Sequence, residues 1–187
     1  MYAVNPFFCN RFFRQGIYYS MRVIEYNRAA VLMYARRWAF ARNPQYYNFD
    51  YLGGDCTNFA SQCLFTGCGV MNFTPVFGWF YESLNERAPA WTGVEYFYRF
   101  LTDNAVGDGV GNGAGPFATE TDIAGLQIGD FVQFGRATGD FYHTPVVVGF
   151  ENGEPLLAAH TYDAFGRKLS SYTFDKLRCL RVLGARV

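Results

Sequence analysis

The stretch GGDCTNFASQCL, residues 53–64, decides the fold of the N-terminal half of this chain. Gly53 and Gly54 predict a turn, and Asp55 is a suitable N-cap for a helix that begins at the next residue. Apolar side chains then recur at the spacing of one helical face, at Cys56, Phe59, Ala60, Cys63 and Leu64. The pattern predicts a helix that buries this stripe and carries a cysteine in its first turn.

The sequence on either side of this segment predicts two further helices. Residues 24–42 contain good helix formers and neither Gly nor Pro, and Asn43 and Pro44 follow as a stop. Thr92 and Glu95 form the capping-box pattern T-x-x-E, which predicts that a third helix opens there with the segment VEYFYRFLTDN.

A glycine-rich segment, GDGVGNGAGPF over residues 107–117, follows the third predicted helix. Glycine stands at every second position, but no Gly-Lys-Ser or Gly-Lys-Thr follows, so a phosphate cradle is disfavoured. We expect a mobile loop at the rim of a site.

The C-terminal part of the chain has the pattern of strands. The segment LQIGDFVQFG predicts a turn and then a strand from about Asp130, and HTPVVVGF and PLLAAHTY flank ENGE as two arms of a hairpin. LSSYTF and CLRVLG predict two more strands. Helices followed by strands predict an α+β fold, with N-terminal helices packed on a C-terminal antiparallel β-sheet. We expect an N-terminal extension over residues 1–23 and a single domain over residues 24–187.

Composition excludes several classes of protein. Of 187 residues, 50% are hydrophobic and 17% are charged, which argues against disorder, and 16 basic residues balance 16 acidic ones, which disfavours nucleic-acid binding. The 5 cysteines include no C-x-x-C pair, so neither a disulfide framework nor a zinc site is favoured, and we expect no cofactor and no metal. No signal-peptide pattern and no apolar run of membrane-spanning length is present. Localisation and oligomeric state stay open.

Cys56 has two interpretations. Unpartnered N–H groups and the helix dipole stabilise a thiolate in the first turn of a helix, and together with an imidazolium they lower the thiol pKa well below its ordinary value of about 8.5. The same amides can form an oxyanion hole. Cysteine is also among the most buried residue types, so a place in the core beside Phe59 and Leu64 is the alternative.

The chain has 2 histidines, and both fall at the same end of the predicted hairpin. If Asn152 and Gly153 form the centre of the turn, His160 faces Pro145 and becomes a diagonal neighbour of His143 on one face. One imidazole can then orient the other. Together with a cysteine at a helix start, they predict a nucleophile, a base and an orienting group.

Asp163 is the weaker candidate for the orienting role. In the same register it faces Tyr142 and points to the opposite side of the hairpin, unless a bulge intervenes. A three-residue turn would reverse the preference between Asp163 and His160.

The segments GGDCTNFASQCL, LQIGDFVQF, HTPVVVG and AAHTYD together resemble the putative amidase domain family of bacteria, from about Asn27 to Tyr162. That family is similar to the papain-like superfamily of NlpC-type peptidases and CHAP amidases. The resemblance implies a papain-like domain with Cys56 as nucleophile and His143 as base. It also implies a third polar position, which His160 fits and for which Asp163 is the fallback.

The resemblance implies further features of the site and its substrate. Papain-like enzymes of this kind use a polar group just before the helix, where Asp55 or Tyr51 could lie. We expect a cysteine amidase or peptidase acting on bacterial cell-wall peptide or glycopeptide. The alternatives are a catalytically silent papain-like module that binds cell-wall glycan or a protein partner, and an enzyme that transfers the acyl group to an amine. Aromatic residues could line a cleft or fill the core, namely Trp79, Tyr81 and Trp91.

Overall fold

The computed structural model describes residues 21–104 and 113–187. Most of the predicted N-terminal extension, residues 1–20, and most of the glycine-rich loop, residues 107–112, lie outside the described residues. The described helices are α1 (Arg28–Trp38), α2 (Cys56–Cys68), α3 (Pro89–Thr92) and α4 (Val94–Asp103). The described strands are β1 (Val23–Ile24), β2 (Gly115–Thr121), β3 (Phe131–Gly135), β4 (Phe141–His143), β5 (Val146–Glu151), β6 (Glu154–Ala159), β7 (Ala164–Lys168) and β8 (Lys176–Arg186).

The strands form one antiparallel sheet in the order β1-β8-β3-β5-β6-β7, with β2 also paired to β8 and β4 to β3. Helices come mainly before strands and pack on one face of the sheet, so the predicted α+β class is confirmed. One pairing departs from that order, because β1 precedes every helix and pairs with β8, with Val23 opposite Arg186. The sheet therefore joins the two ends of the described chain.

Two predicted helix starts differ from the structure. Helix α1 begins only at Arg28, because the Asn27 side chain accepts a hydrogen bond from the N–H of Ala30 at 3.0 Å and caps the helix there. The predicted capping box is wrong. Thr92 ends the short helix α3, and α4 begins after Gly93 without a side-chain cap.

Two predicted features of the sheet also differ. The segment LSSYTF does not form a strand, because Leu169–Ser171 are a 3₁₀ turn, and β7 lies just before it, paired with β6. The end of the glycine-rich segment, from Gly115 onward, forms strand β2 instead of a loop.

Apolar side chains cover both faces of the sheet. On the helix side, Phe59, Trp91 and Val146 belong to the larger cluster, in which Trp79 and Trp91 have no exposed surface and so belong to the core instead of a cleft. On the opposite side, Phe134 and Val147 belong to a smaller cluster. Successive side chains along a strand point to opposite faces of the sheet. Val146 therefore packs on the helix side and Val147 on the opposite side. No helix among residues 21–104 and 113–187 has the length and apolar character needed to cross a membrane.

Candidate active site

The start of helix α2 is held by Asp55, a carboxylate with no exposed surface. Its Oδ1 accepts hydrogen bonds from the N–H of Phe49 at 2.9 Å and from Asn58 Nδ2 at 2.8 Å. Its own N–H donates to Thr161 Oγ1 at 2.8 Å. Gly54 makes this turn possible because its φ of +102° is a backbone conformation that other residues rarely adopt. Asp55 therefore occupies the predicted N-cap position of α2, but its side chain makes no capping hydrogen bond to the helix backbone and binds Phe49 N–H and the Asn58 side chain instead.

His160 is the partner of Asp55 and has no exposed surface. Its Nδ1 lies 2.5 Å from Asp55 Oδ2, its Nε2 donates to the carbonyl oxygen of Trp38 at 2.8 Å, and its ring stacks on Phe59 at 4.0 Å between centroids. Whichever atom of the pair holds the shared proton, neither ring nitrogen has a free lone pair. The structure thus places His160 as a link between α1 and the turn before α2.

The two histidines are not neighbours on one face, in contrast to the expectation from the hairpin. The turn is as predicted, since Glu151 pairs with Glu154, but the register shifts between Val147 and Gly149. One extra residue in a strand moves every later side chain to the other face. The His143 ring consequently lies on the side of the sheet away from α2, beside Phe134 and Tyr172. The His160 ring lies on the helix side, stacked on Phe59.

Cys56 occupies the first turn of α2, as predicted, and is 7% exposed. Burial raises the pKa of its thiol, and hydrogen bonds from the backbone of Thr144, from the Thr57 hydroxyl and from the Thr57 backbone oppose that rise. The nearby Asp55 carboxylate raises the thiol pKa further. The thiol pKa is therefore raised and not lowered as expected, because desolvation outweighs the hydrogen bonds that oppose it.

His143 ends strand β4 and directly precedes Thr144, whose hydroxyl lies 3.3 Å from that of Thr57, the residue after Cys56. Its ring centroid lies 5.7 Å from that of Phe134 and 6.4 Å from that of Tyr172. Burial, and to a lesser extent the charge of Arg167, lower the pKa of His143 to about 4. The imidazole is therefore neutral at neutral pH, and no hydrogen bond joins its ring to another residue of the described ranges.

The other two predicted candidates lie away from His143. Both carboxylate oxygens of Asp163 accept hydrogen bonds from Arg42, at 3.0 and 2.8 Å, and the same guanidinium also binds Asp50. Tyr51 is 99% exposed. Asp163 therefore shares the Arg42 guanidinium with Asp55 and forms no hydrogen bond with His143 among the described residues. The Tyr51 ring is exposed to solvent.

Sequence reasoning missed several polar residues around Cys56 and His143. Thr57 and Thr144 lie between them, and Tyr172 beside His143 has a buried hydroxyl without a hydrogen-bond partner among the described residues. A signal for the two threonines was present, because each chemically reactive residue is followed directly by threonine, in Cys-Thr and His-Thr. Within residues 21–104 and 113–187, no three His, Cys, Asp or Glu side chains converge as metal ligands.

The chain is thus an α+β domain in which a helix that begins with a cysteine packs on an antiparallel sheet. The family described as "Putative amidase domain" matches residues 25–182, and the chain belongs to this family. The family description indicates amide hydrolysis in general. A curated relative, "Uncharacterized protein YhbB" of Bacillus subtilis (strain 168), is 32% identical over 148 residues, which cover 76% of this chain and 44% of that protein. The chain thus spans less than half the length of this relative. No solved structure matches the chain.

Proposed function

We propose that this protein is a cysteine-dependent amidase or peptidase of papain-like fold, with Cys56 as nucleophile and His143 as base. The observation that carries the proposal is the hydrogen bond between the hydroxyls of Thr57 and Thr144 at 3.3 Å, which joins the residue after Cys56 to the residue after His143. The helix start and the end of strand β4 meet at this contact. Family membership supports amide hydrolysis as the general reaction.

His143 is the better base of the two histidines. Both ring nitrogens of His160 are engaged, by Asp55 and by the carbonyl oxygen of Trp38, whereas the neutral ring of His143 has a lone pair that can accept a proton. We assign His160 as a positioning residue that acts through Asp55 on the start of α2. Tyr172 is the polar group whose ring packs near that of His143 and is our candidate to orient it.

The reaction starts from a neutral thiol and a neutral imidazole, because burial raises the pKa of Cys56 and lowers that of His143. As the sulfur attacks the substrate carbonyl carbon, the His143 ring turns about its side-chain bonds from Phe134 and Tyr172 toward the sulfur and takes the thiol proton. The carbonyl oxygen becomes an oxyanion. Backbone N–H groups in the first turn of α2 stabilise that oxyanion. His143 then protonates the leaving amine, and water hydrolyses the thioester with His143 again as base.

The proposed substrate is an amide bond in bacterial cell-wall peptide or glycopeptide, as the resemblance to NlpC and CHAP enzymes implies. Exposed apolar residues flank the start of α2 and could receive such a substrate. Tyr51 and Leu52 precede the turn, and Tyr162 follows Thr161, whose hydroxyl binds the N–H of Asp55. Of these, Tyr51 and Tyr162 are 99% and 84% exposed.

The test is amide cleavage of peptidoglycan fragments by the wild type, Cys56→Ala and Cys63→Ala, followed by mass spectrometry of the products. Cys63 is the matched control because it lies on the same helix and is completely buried away from the turn. We expect Cys56→Ala to reduce cleavage by at least about a thousandfold and Cys63→Ala to keep a measurable rate.

Cleavage by Cys56→Ala at the wild-type rate would contradict the assignment of the nucleophile. If the wild type binds peptidoglycan without cleaving it, and Cys56→Ala binds equally well, the chain is a binding module instead. Products that carry an added amine would indicate acyl transfer.

A further inference from the structure

Three polar side chains without exposed surface form a line behind Cys56, namely Thr57, Thr144 and Gln133. The Cys56 sulfur lies 3.8 Å from Thr57 Oγ1, and Thr57 Oγ1 lies 3.3 Å from Thr144 Oγ1. Gln133 Nε2 donates to Thr144 Oγ1 at 3.3 Å. A continuous path of hydrogen bonds therefore runs from the thiol into strand β3.

Gln133 is a fixed donor at the far end of this path. Its Nε2 also donates to the carbonyl oxygen of Val94 at 2.8 Å, and its Oε1 accepts from Arg178 Nη1 at 3.0 Å. A guanidinium can only donate and a carbonyl can only accept, so the side-chain amide has one orientation. Arg178 is itself held by ion pairing with Glu95. The amide therefore donates to Thr144 whether Cys56 is a thiol or a thiolate.

The two hydroxyls between Gln133 and the sulfur can each reverse direction, because a hydroxyl both donates and accepts. With a neutral thiol, Cys56 donates to Thr57, and Thr57 donates to Thr144. With a thiolate, Thr144 donates to Thr57, and Thr57 donates to the sulfur. Thr144 accepts from Gln133 in both states. The change requires two hydroxyl hydrogens to rotate and no heavy atom to move.

We propose that Thr57, Thr144 and Gln133 are positioning residues that reverse this hydrogen-bond chain and so stabilise the Cys56 thiolate. An anion buried without donors is unfavourable, and hydrogen bonds to charged groups are stronger than those between neutral groups. The inference rests on the proposed role of Cys56 as nucleophile. It assigns to Thr57 and Thr144 a function that the core packing of α2 does not require.

The test measures the ultraviolet absorbance of the thiolate as a function of pH, after subtraction of the same titration for Cys56→Ser. We expect Thr57→Val to raise the titration midpoint by about one pH unit and Thr144→Val to raise it by a smaller amount. Thr57→Ser and Thr144→Ser keep the hydroxyls and should titrate like the wild type. Thr57→Ala also removes the hydroxyl and is measured in parallel, so that the prediction can still be tested if Thr57→Val does not fold.

The matched control is Ser61→Ala on the same helix. Ser61 is buried, donates to the carbonyl oxygen of Trp91 at 2.9 Å and accepts from Trp79 Nε1 at 3.0 Å, away from the thiol. We expect its midpoint to equal that of the wild type. An unchanged midpoint in the Thr57 or Thr144 variants lacking the hydroxyl would overturn the proposal, and so would an equal rise in Ser61→Ala.

The titration needs no substrate, so its outcome is separate from that of the proposed function. A wild type that cleaves amides but shows no effect of the threonine hydroxyls would retain the proposed function and reject the chain. Shifted midpoints in a protein that cleaves nothing would retain the chain and reject the proposed function.

Discussion

Burial favours the neutral forms of both reactive groups, Cys56 and His143, because a thiolate and an imidazolium are each costly to desolvate. The position of Cys56 at a helix start could be predicted from local signals in residues 53–64. Its raised thiol pKa could not, because desolvation depends on how the folded chain buries the sulfur. The same holds for His160, whose contacts with Asp55 and Trp38 join residues far apart in the sequence.

At this scale, we predict that His143 makes folding stability depend on pH. Its pKa is about 4 in the folded protein, below the ordinary value of 6.5. Between these values the unfolded chain binds a proton that the folded chain does not, so stability is present above pH 6.5 and is lost as pH falls toward 4. We expect the wild type to lose on the order of 2–3 kcal/mol more than His143→Gln between pH 7 and 4.5.

Urea unfolding of both proteins at the two pH values measures this difference, and the contributions of the carboxylates cancel in the comparison. An identical loss of stability in the wild type and in His143→Gln would show that His143 is solvated in the folded protein.

Among the elements, helix α2 and the hairpin of β5 and β6 position the site. The hairpin turn at Asn152 and Gly153 was predicted correctly, because positive φ at adjacent Asn and Gly is a local property. The register shift at Val148 was not predicted. The bulge depends on how β5 packs against α1 and β7, and its consequence is that the two histidines lie on opposite faces.

We predict that two glycines at opposite ends of α2 differ in their effect on function. Gly54 and Gly69 have φ of +102° and +66°, so alanine at either position costs about 1–2 kcal/mol or more in folding stability. A Cβ at Gly54 would also lie 3.3 Å from Thr161 Oγ1, the acceptor of the Asp55 N–H bond, whereas Gly69 faces open space. We expect Gly54→Ala to reduce peptidoglycan-fragment cleavage at least about tenfold and Gly69→Ala to leave it unchanged.

Denaturant unfolding establishes that the two variants are comparably folded before their cleavage rates are compared. Equal rates for Gly54→Ala and Gly69→Ala would mean that the turn before Cys56 has no role in positioning the thiol.

In the whole molecule, long-range contacts join the helical part to the sheet. Arg28 at the start of α1 donates to Asp130 at 2.7 Å and to the carbonyl oxygen of Val182 at 2.8 Å. Asp130 has no exposed surface and also accepts hydrogen bonds from the N–H of Gln127 and of Val182. These bonds tie α1 to the turn before β3 and to β8.

We predict a single cooperative unfolding transition, reported identically by far-ultraviolet circular dichroism and by the fluorescence of the three tryptophans, Trp38, Trp79 and Trp91. Asp130→Asn should lower the free energy of unfolding by about 1.5–3 kcal/mol, because it removes the charge of a buried carboxylate from its ion pair with Arg28, whose side chain is 25% exposed. Glu82→Gln, at an exposed position, should change it little. Two separate transitions in the wild type would show that helices and sheet unfold independently.

The sequence by itself determined the α+β class, the start of α2 at Cys56 and the turn of the hairpin, because each depends on neighbouring residues and on short-range backbone preferences. Only the tertiary structure decided that β1 pairs with β8, that His160 binds Asp55 instead of orienting His143, and that Thr57 and Thr144 lie behind the thiol. These features arise from burial and from register over long separations. A one-residue bulge is enough to change them, and no local pattern in the sequence specifies it.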